Sequence, residues 1–299
     1  MRKFSLYMAS ICLLFGCEET IDVELKDAPP AYVVDAWIND KMETQVIQLS
    51  LTQPYFDSSE PTPITGATVT VTSEGKTFSF TESQSGSYTW DPATSTDRIE
   101  TVGSRYTLTV NVDGNEFMAE SELRRVPPVD SIKFTFKEER NAFQPEGYYA
   151  EFLATDPVGP GDTYWIKAIK NGIPLNNPFD LNIAYDAGFN EGGNIDGVVF
   201  IQPIQDAVTP LNEDLDEIVP YKLGDSLHVE IHSITHEAFT FLQQVQIQTQ
   251  RDGGFDEIFA EPLENVSSNI MMMNENPDVQ VIGFFNVSSV SGRGRKLTE

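Results

Sequence analysis

The clearest chemistry in this sequence belongs to a cysteine near its start. Leu14 and Gly16 stand three positions and one position before Cys17, which resembles the spacing of a bacterial lipobox. In that motif the thiol is acylated and the cysteine then becomes the new N-terminus. The sequence therefore predicts Cys17 as the lipid-attachment residue, carrying fatty acyl chains such as palmitate. The alternative is an ordinary secretory signal in which the cysteine occurs by chance.

The residues before this cysteine have the form of an export signal. Two cations, Arg2 and Lys3, precede the mostly apolar stretch Phe4–Phe15. This stretch is shorter than the roughly 20 residues that a membrane-spanning helix needs, and its flanking cations are typical of a cleaved signal peptide. We therefore interpret residues 1–17 as a lipoprotein signal peptide that ends at the lipobox cysteine.

Cysteine usage agrees with lipid attachment. Cys12 lies inside the signal and Cys17 is the one other cysteine, so the mature chain has no pair to form a disulfide and no thiol cluster for a metal. Each buried methylene contributes about 0.8 kcal/mol, so several acyl chains hold a protein on a membrane far more firmly than one. Residues 18–30 carry acids and end in two prolines, which predicts a flexible acidic tether.

The histidines are the next candidates for chemistry. Apolar residues alternate around His228, Glu230 and His232, so these three side chains are predicted to share the outward face of one strand. A His, Glu, His set is suited to zinc. However, successive members would be spaced roughly 6.6 Å apart along the strand, and the sequence offers no evident fourth ligand. We therefore favour a solvated polar face over a metal site.

A second candidate is the glycine-rich loop 186–197, whose oxygen-bearing side chains suit calcium. These side chains are Asp186, Asn190, Glu191, Asn194 and Asp196. Their spacing does not match the EF-hand pattern, so an ordinary acidic loop is the preferred interpretation and calcium binding stays open.

The sequence gives little support to catalysis. It has no Gly-x-Ser-x-Gly elbow and no phosphate-binding glycine loop. Its 46 acidic residues make carboxylate pairs inevitable and therefore uninformative. Trp37, Trp90 and Trp165 are suited to a sugar-stacking platform, but large aromatic residues more often belong to the core of a β-sandwich. We expect no enzyme activity, no catalytic residue, no metal and no cofactor.

Charge and composition narrow the classes of partner. The chain has 19 basic and 46 acidic residues, a net charge of −27. Such a surface repels nucleic acid and anionic lipid headgroups, so we expect no nucleic-acid partner. With 40% hydrophobic residues the chain can bury substantial cores, and its 299 residues suggest two domains.

The predicted fold class is mainly β, because residues 31–126 show the two-residue period of half-buried strands. Val34, Ala36 and Ile38 alternate with more polar neighbours, and the same pattern returns several times between turn-rich segments. About seven short strands within some ninety residues are typical of an immunoglobulin-like β-sandwich. The strand order cannot be derived from this pattern.

Two consecutive prolines, Pro127-Pro128, interrupt the strand pattern and mark a predicted domain boundary. Residues 129–299 then form a second β-rich domain. This domain contains one amphipathic helix over about residues 236–250, capped by Thr235. Its apolar stripe predicts packing against the second domain's sheet. The stripe consists of Ala238, Phe241, Leu242 and Val245.

Several short segments, taken in order, resemble one family, the Bacteroidetes outer-membrane lipoproteins grouped as a domain of unknown function numbered 4249 (DUF4249). The N-terminal segments are Val33-Val34-Asp35-Ala36-Trp37-Ile38, Gln53-Pro54-Tyr55-Phe56, Ile64-Thr65-Gly66-Ala67-Thr68-Val69 and Gly86-Ser87-Tyr88. The later ones are Pro127-Pro128-Val129-Asp130-Ser131-Ile132, Gly224-Asp225, Pro262-Leu263-Glu264-Asn265-Val266-Ser267-Ser268-Asn269-Ile270 and Gly283-Phe284-Phe285. The resemblance spans most of the mature chain.

The resemblance implies a location and a role, both written here as expectations. Glu18 and Glu19, directly after the lipobox cysteine, resemble the acidic signal that exports such lipoproteins to the outer face of the outer membrane. Members are associated with TonB-dependent receptors. We therefore expect a surface-exposed, non-enzymatic binding or docking accessory to such a receptor, with an unidentified ligand. The alternatives are an envelope hydrolase and a structural or adhesive surface module.

Overall fold

The computed structural model describes residues 29–54, 57–141, 144–193, 195–212, 217–250, 265–274 and 276–298. Residues 30–53 and 58–299, as far as they are described, form one compact unit. Pro54 and Asp57 belong to a second, small unit, in which the Asp57 amide donates a hydrogen bond to the Pro54 carbonyl at 2.9 Å. The predicted signal peptide with Cys17, Glu18 and Glu19, and the tether as far as Ala28, lie outside the described residues and stay predictions.

The chain is mainly β, as predicted. In chain order the strands are β1 (Tyr32–Asn39), β2 (Gln45–Leu51), β3 (Thr68–Ser73), β4 (Lys76–Gln84), β5 (Ser87–Trp90), β6 (Arg105–Val112), β7 (Asn115–Glu122), β8 (Ser131–Lys137), β9 (Gly147–Leu153), β10 (Thr163–Lys170), β11 (Ile173–Pro174), β12 (Asn182–Tyr185), β13 (Leu211–Asn212), β14 (Glu217–Ile218), β15 (Ser226–Ile234), β16 (Met271–Met272), β17 (Val281–Ser288) and β18 (Val290–Lys296). The seven strands predicted for residues 31–126 correspond to β1–β7.

The described residues contain two α-helices, α1 (Gln202–Asp206) and α2 (His236–Thr249). Helix α2 is the predicted amphipathic helix, and the Thr235 hydroxyl caps it by accepting a hydrogen bond from the Ala238 amide at 3.1 Å. This bond satisfies one of the amides that a first helical turn leaves unpaired. Among the helices described, none has the length and apolar character needed to cross a membrane.

Nine strands form the first sheet, in the order β16-β7-β6-β3-β4-β5-β2-β1-β17. Strand β4 joins its two halves, since its first residues pair with β3 and its last with β5, with a register shift between Glu82 and Gln84. The sheet nearly closes on itself where β17 approaches β7. There the Asn269 side chain donates to the Phe285 carbonyl and accepts from the Phe285 amide, at 2.8 and 2.9 Å, and the Val287 amide donates to the Ser121 hydroxyl.

The interior of this sheet is filled from both halves of the sequence. Val34, Ala36 and Ile38 point inward from β1, as their alternation predicts, and each is at most 1% exposed. Phe285 and Val287 from β17 are buried in the same core. They reach it because β17 pairs with β1 in parallel, from Tyr32 opposite Val281 to Asn39 opposite Ser288. Thus β16 and β17 lie beyond the predicted boundary at Pro127-Pro128 but belong to the first sheet.

The second sheet has the order β11-β10-β15-β18, with β12 pairing to β10, and a two-stranded ribbon of β8 and β9 lies beside it. The chain passes from the first sheet to the second through Ser289, which separates β17 from β18. The Ser289 amide donates to the Ser233 hydroxyl at 2.9 Å, and the Ser289 carbonyl accepts from the Ser233 amide at 3.0 Å. The predicted domain bounds, 31–126 and 129–299, stay a prediction, but one continuous segment links the two sheets.

Candidate functional site

A groove of about 850 Å³ lies between β1, β10, β17 and α2, and we call it the aromatic groove. Its lining is mostly apolar but includes charged side chains, and those grouped around Glu230 form what we call the charged end. The apolar side chains include Val33, Trp37, Trp165, Ile169, Leu175, Phe241, Leu242, Val245 and Phe284. The charged ones are Asp35, Lys41, Glu43, Lys167, Asp180 and Glu230.

Strand β1 supplies one wall of the groove through the alternation of its side chains. Its even-numbered residues fill the core of the first sheet, so its odd-numbered residues Val33, Asp35 and Trp37 face the other way and line the groove. The strand thus presents an acid between a branched aliphatic residue and a tryptophan.

Strand β10 supplies the opposite wall with a matching pattern. Ile166 and Ala168 are buried in the core of the second sheet, whereas Trp165, Lys167 and Ile169 are half-buried and line the groove. Here a base, rather than an acid, stands between a tryptophan and a branched aliphatic residue. The wall from β1 therefore brings an acid into the apolar cleft, and the wall from β10 brings a base.

Four aromatic rings build the apolar part of the groove. The Trp37 and Trp165 rings meet edge to face, with their centroids 5.2 Å apart. Trp37 stacks on Phe284 at 5.6 Å, and Phe241 of α2 lies 4.7 Å from Phe284. Contacts of this kind add about 0.5–1.5 kcal/mol per pair beyond area burial, so the rings hold one another in place.

Glu230 on β15 organises the charged end. One carboxylate oxygen, Oε1, lies 2.7 Å from Lys41 Nζ and 3.3 Å from His228 Nε2, and the other, Oε2, lies 3.1 Å from His232 Nε2. Lys41 also binds Glu43 at 2.9 Å. Each group in this set therefore contacts at least one ion-pair or hydrogen-bond partner.

The hydrogen bond from His232 and that from Lys41 lower the pKa of Glu230 to about 2, against the effect of burial. Burial lowers the pKa of His232 to about 4, although its hydrogen bond to Glu230 opposes the shift. The two shifts agree if His232 is neutral and carries its proton on Nε2, since a neutral imidazole N–H still donates to the carboxylate.

Asp35 and Lys167 differ from the rest of the cluster, because among the described residues neither takes part in an ion pair. Lys167 Nζ lies 3.7 Å above the centre of the Trp165 ring. Burial lowers the pKa of Lys167 to about 8. Burial also raises the pKa of Asp35, partly offset by Lys167 and by a hydrogen bond with the Trp37 side chain. Water reaches Asp35, but surrounding protein atoms in the groove weaken its solvation.

The histidine prediction is half right. His228, Glu230 and His232 do share one face of β15, but only the His228 end of it is solvated: the His228 side chain is 42% exposed, whereas Glu230 is 7% exposed and His232 is 6% exposed. Both imidazoles contact the carboxylate directly and a lysine binds it as well. The arrangement is therefore an ion-pair and hydrogen-bond cluster rather than an open set of metal ligands.

The acidic loop has a different outcome. Asp186 and Asp196 come together with Asp156, which sequence reasoning missed, and one carboxylate oxygen from each of the three lies within 4.8 Å of the other two. Oxygen ligands at such spacing suit calcium. However, Asp156 already accepts hydrogen bonds from the Tyr164 hydroxyl at 2.6 Å and the Gly197 amide at 3.1 Å.

The other two acids of this trio are partnered too. Asp186 accepts from the amides of Gly161 and Asp162 at 2.8 and 2.9 Å, and Asp196 accepts from the Gly159 amide at 2.9 Å. These donors compensate the carboxylates without an ion. Asn190 and Glu191 are exposed, and Asn194 lies outside the described residues.

The three tryptophans lie in different environments. Trp90 is buried in the core of the first sheet, 7% exposed, so it belongs to packing. Trp37 and Trp165 instead meet in the aromatic groove. Sequence reasoning missed Asp35 and Lys167. The signal that identifies them is a charged residue two positions from a tryptophan on the same strand face.

The comparison with known proteins places the chain in a family without assigning an activity. No curated protein matches the sequence. Residues 18–293 match the profile of the domain described as "Domain of unknown function (DUF4249)". Because this match covers most of the sequence, the chain belongs to the DUF4249 family.

Proposed function

We propose that this chain is a non-enzymatic binding protein of the bacterial outer membrane, of the kind found in Bacteroidetes. In this proposal it is anchored by lipid on Cys17, with Glu18 and Glu19 as the export signal. It presents the aromatic groove to a small ligand and serves as a surface-exposed accessory to a TonB-dependent receptor. The receptor association rests on the family resemblance and not on a contact seen in the structure.

The observation that carries the binding role is the aromatic groove. Small-molecule sites are concave, mostly apolar, roughly 300–1,000 Å³ in volume, and contain a few convergent polar groups. A groove of about 850 Å³ with four aromatic rings and a charged end has these properties. Anchoring would place such a site beside a transporter, where even a weak ligand contact acts at high effective concentration.

Ligand retention tests the groove. We expect the full-length protein, purified from membranes in mild detergent, to release a small molecule on denaturation that mass spectrometry detects. Trp165→Ala opens the groove wall and should reduce the amount released at least about tenfold, because stacking area and enclosure are lost together. Phe189→Ala, at an exposed site outside the groove, is the matched control.

Equal release from both variants would reject the groove as the binding site. Chemical conversion of the released molecule by the intact protein would instead support the hydrolase alternative. Recovery of no transporter with the wild-type protein from solubilised outer membranes would reject the accessory role.

The anchor is tested separately. Cys17→Ala should abolish incorporation of labelled palmitate and shift the protein out of the membrane fraction, because no acyl chain is then attached. Cys12→Ala, within the predicted signal, is the control and should leave labelling unchanged. A Cys17→Ala protein that stays in the membrane fraction would contradict the proposed anchor.

A further inference from the structure

The charges that line the aromatic groove are not equally satisfied, and this difference points to the ligand. Lys41 binds both Glu43 and Glu230. Asp180 accepts a hydrogen bond from the Asn177 amide at 3.0 Å. Within the part of the chain that the structure describes, Asp35 and Lys167 line the groove and take part in no ion pair.

These two residues face the groove from opposite walls. Asp35 stands between Val33 and Trp37 on β1, and Lys167 stands between Trp165 and Ile169 on β10. The tryptophans of the two walls touch, with their ring centroids 5.2 Å apart. The charged atoms of Asp35 and Lys167 nevertheless stay too far apart for an ion pair. The groove thus holds an acid and a base apart with apolar surface on either side.

Asp35 has a hydrogen bond with the Trp37 side chain and Lys167 lies over the Trp165 ring, but neither contact supplies an opposite charge. A partly desolvated charge without a counter-charge is unfavourable, and burial shifts both groups toward their neutral forms. A ligand that supplies an opposite charge to each would reverse both effects. A purely anionic ligand would satisfy Lys167 alone and would approach a protein of net charge −27. A purely cationic ligand would leave Lys167 unpaired. A zwitterion satisfies both groups and has no net charge to repel.

We propose that the aromatic groove binds a small zwitterion with an apolar body, an apolar amino acid or short peptide, whose ammonium group binds Asp35 and whose carboxylate binds Lys167. This proposal rests on the proposed binding function and specifies its ligand class. The apolar side chains of such a ligand would pack against Trp37, Phe241 and Phe284, where the groove offers aromatic surface.

Titration of the full-length chain in detergent with L-phenylalanine and with the dipeptide Leu-Phe tests the proposal, read out by calorimetry. We expect at least one of the two probes to bind, and the comparison of the two distinguishes an amino-acid site from a peptide site. Acetylating the amine or amidating the carboxylate of that probe should each weaken binding about tenfold or more, because each removes a charge-assisted hydrogen bond.

Two variants test which residue binds each charged group of the ligand. Lys167→Met keeps the length of the side chain and should abolish the preference for a free carboxylate while keeping the preference for a free amine. Asp35→Asn should do the reverse. Lys133→Met and Asp130→Asn, at exposed positions outside the groove, are the matched controls and should keep both preferences. Thermal unfolding confirms that each variant is folded.

The outcomes separate this proposal from the one on which it rests. Equal binding of free and blocked probes by the wild-type chain would overturn the zwitterion assignment. Failure of both probes, with a different molecule released from the groove of the native protein, would overturn the ligand class and keep the binding function. Failure of both probes and an empty native groove would overturn both.

Discussion

Glu230 is the residue on which the charged end of the groove depends. Its side chain is 9% exposed, and it binds Lys41, His228 and His232 at once. A buried carboxylate needs such compensation, because an unpaired buried charge is strongly destabilising. The cluster consequently links the stability of β15 to the protonation of its members.

Acidification should destabilise the fold through His232. Folding lowers the pKa of His232 from 6.5 to about 4. Between these two pH values the unfolded chain binds a proton at this imidazole and the folded chain does not. The contribution of neutral His232 to the free energy of unfolding is therefore complete above pH 6.5 and is lost as the pH falls toward 4. The depressed pKa of Glu230 acts in the same direction, with its loss continuing from about pH 4.5 toward 2.

His232→Gln tests this pH dependence, because glutamine keeps a donor for Glu230 and removes the titration. Between pH 6.5 and 4 the wild-type free energy of unfolding should fall by about 2 kcal/mol more than that of the variant, measured by urea unfolding. His236→Gln, at the exposed start of α2, is the control and should behave as the wild type. A His232→Gln protein with the wild-type slope would show that this imidazole does not titrate as described.

Sequence reasoning reached the residue types of the site but not their environment. The alternation around His228, Glu230 and His232 predicted a shared face, and they share it. The burial of that face depends in part on Lys41, which binds Glu230 from 189 positions away in the chain. A local pattern contains no information on such a partner. The predicted solvation was wrong for Glu230 and His232 for this reason, while the His228 side chain is 42% exposed.

At the scale of elements, the pairing of β1 with β17 decides the architecture. Gly283 lies where β17 passes closest to β1: a Cβ atom there would be 2.0 Å from the Val34 carbonyl oxygen. Its φ of +117° also lies in a region that favours glycine. The close approach of the two strands, and of Phe284 to the groove, therefore requires glycine at this position.

Gly283→Ala should separate these strands and destabilise the protein by about 3 kcal/mol or more, since the methyl group meets backbone that cannot move independently. Gly75→Ala is the matched control: φ is +79° at that turn, but no atom lies within 4 Å of the added methyl group. Its expected cost is about 1 kcal/mol. Equal losses in the free energy of unfolding would show that φ, rather than contact with Val34, matters at Gly283.

The elements themselves were largely predictable, whereas their pairing was not. Helix α2 was predicted because its cap at Thr235 and its apolar stripe are local signals. The stripe was expected to pack on the second domain's sheet, and α2 does contact β10 and β12, but it also contacts β17 of the first sheet. The parallel pairing of Tyr32 with Val281 joins opposite ends of the sequence, and no periodicity encodes it.

At the scale of the whole molecule, the first sheet is incomplete without the C-terminal part of the chain. Ile270, Phe285 and Val287 belong to its core, and Asn269 bridges the gap between β7 and β17. Removing them exposes the edge of β1 and opens the interior, a loss that the remaining small β-sheet cannot offset.

A fragment of residues 30–126 should therefore lack a cooperative thermal transition by circular dichroism, whereas residues 30–299 should unfold cooperatively. The reason is that β17 completes both the hydrogen bonding of β1 and the packing of the core. A fragment with a sharp transition and native-like spectra would contradict this expectation and support an independent domain that ends at residue 126.

The two faces of strand β1 have different roles. Val34 and Ala36 fill the sheet interior, and Asp35 and Trp37 form a groove wall. A substitution that enlarges or shrinks the interior must shift the backbone that carries the wall. We therefore expect substitutions in the core beneath β1, such as at Val34 or Ala36, to alter the shape of the groove wall as well as the packing of the interior.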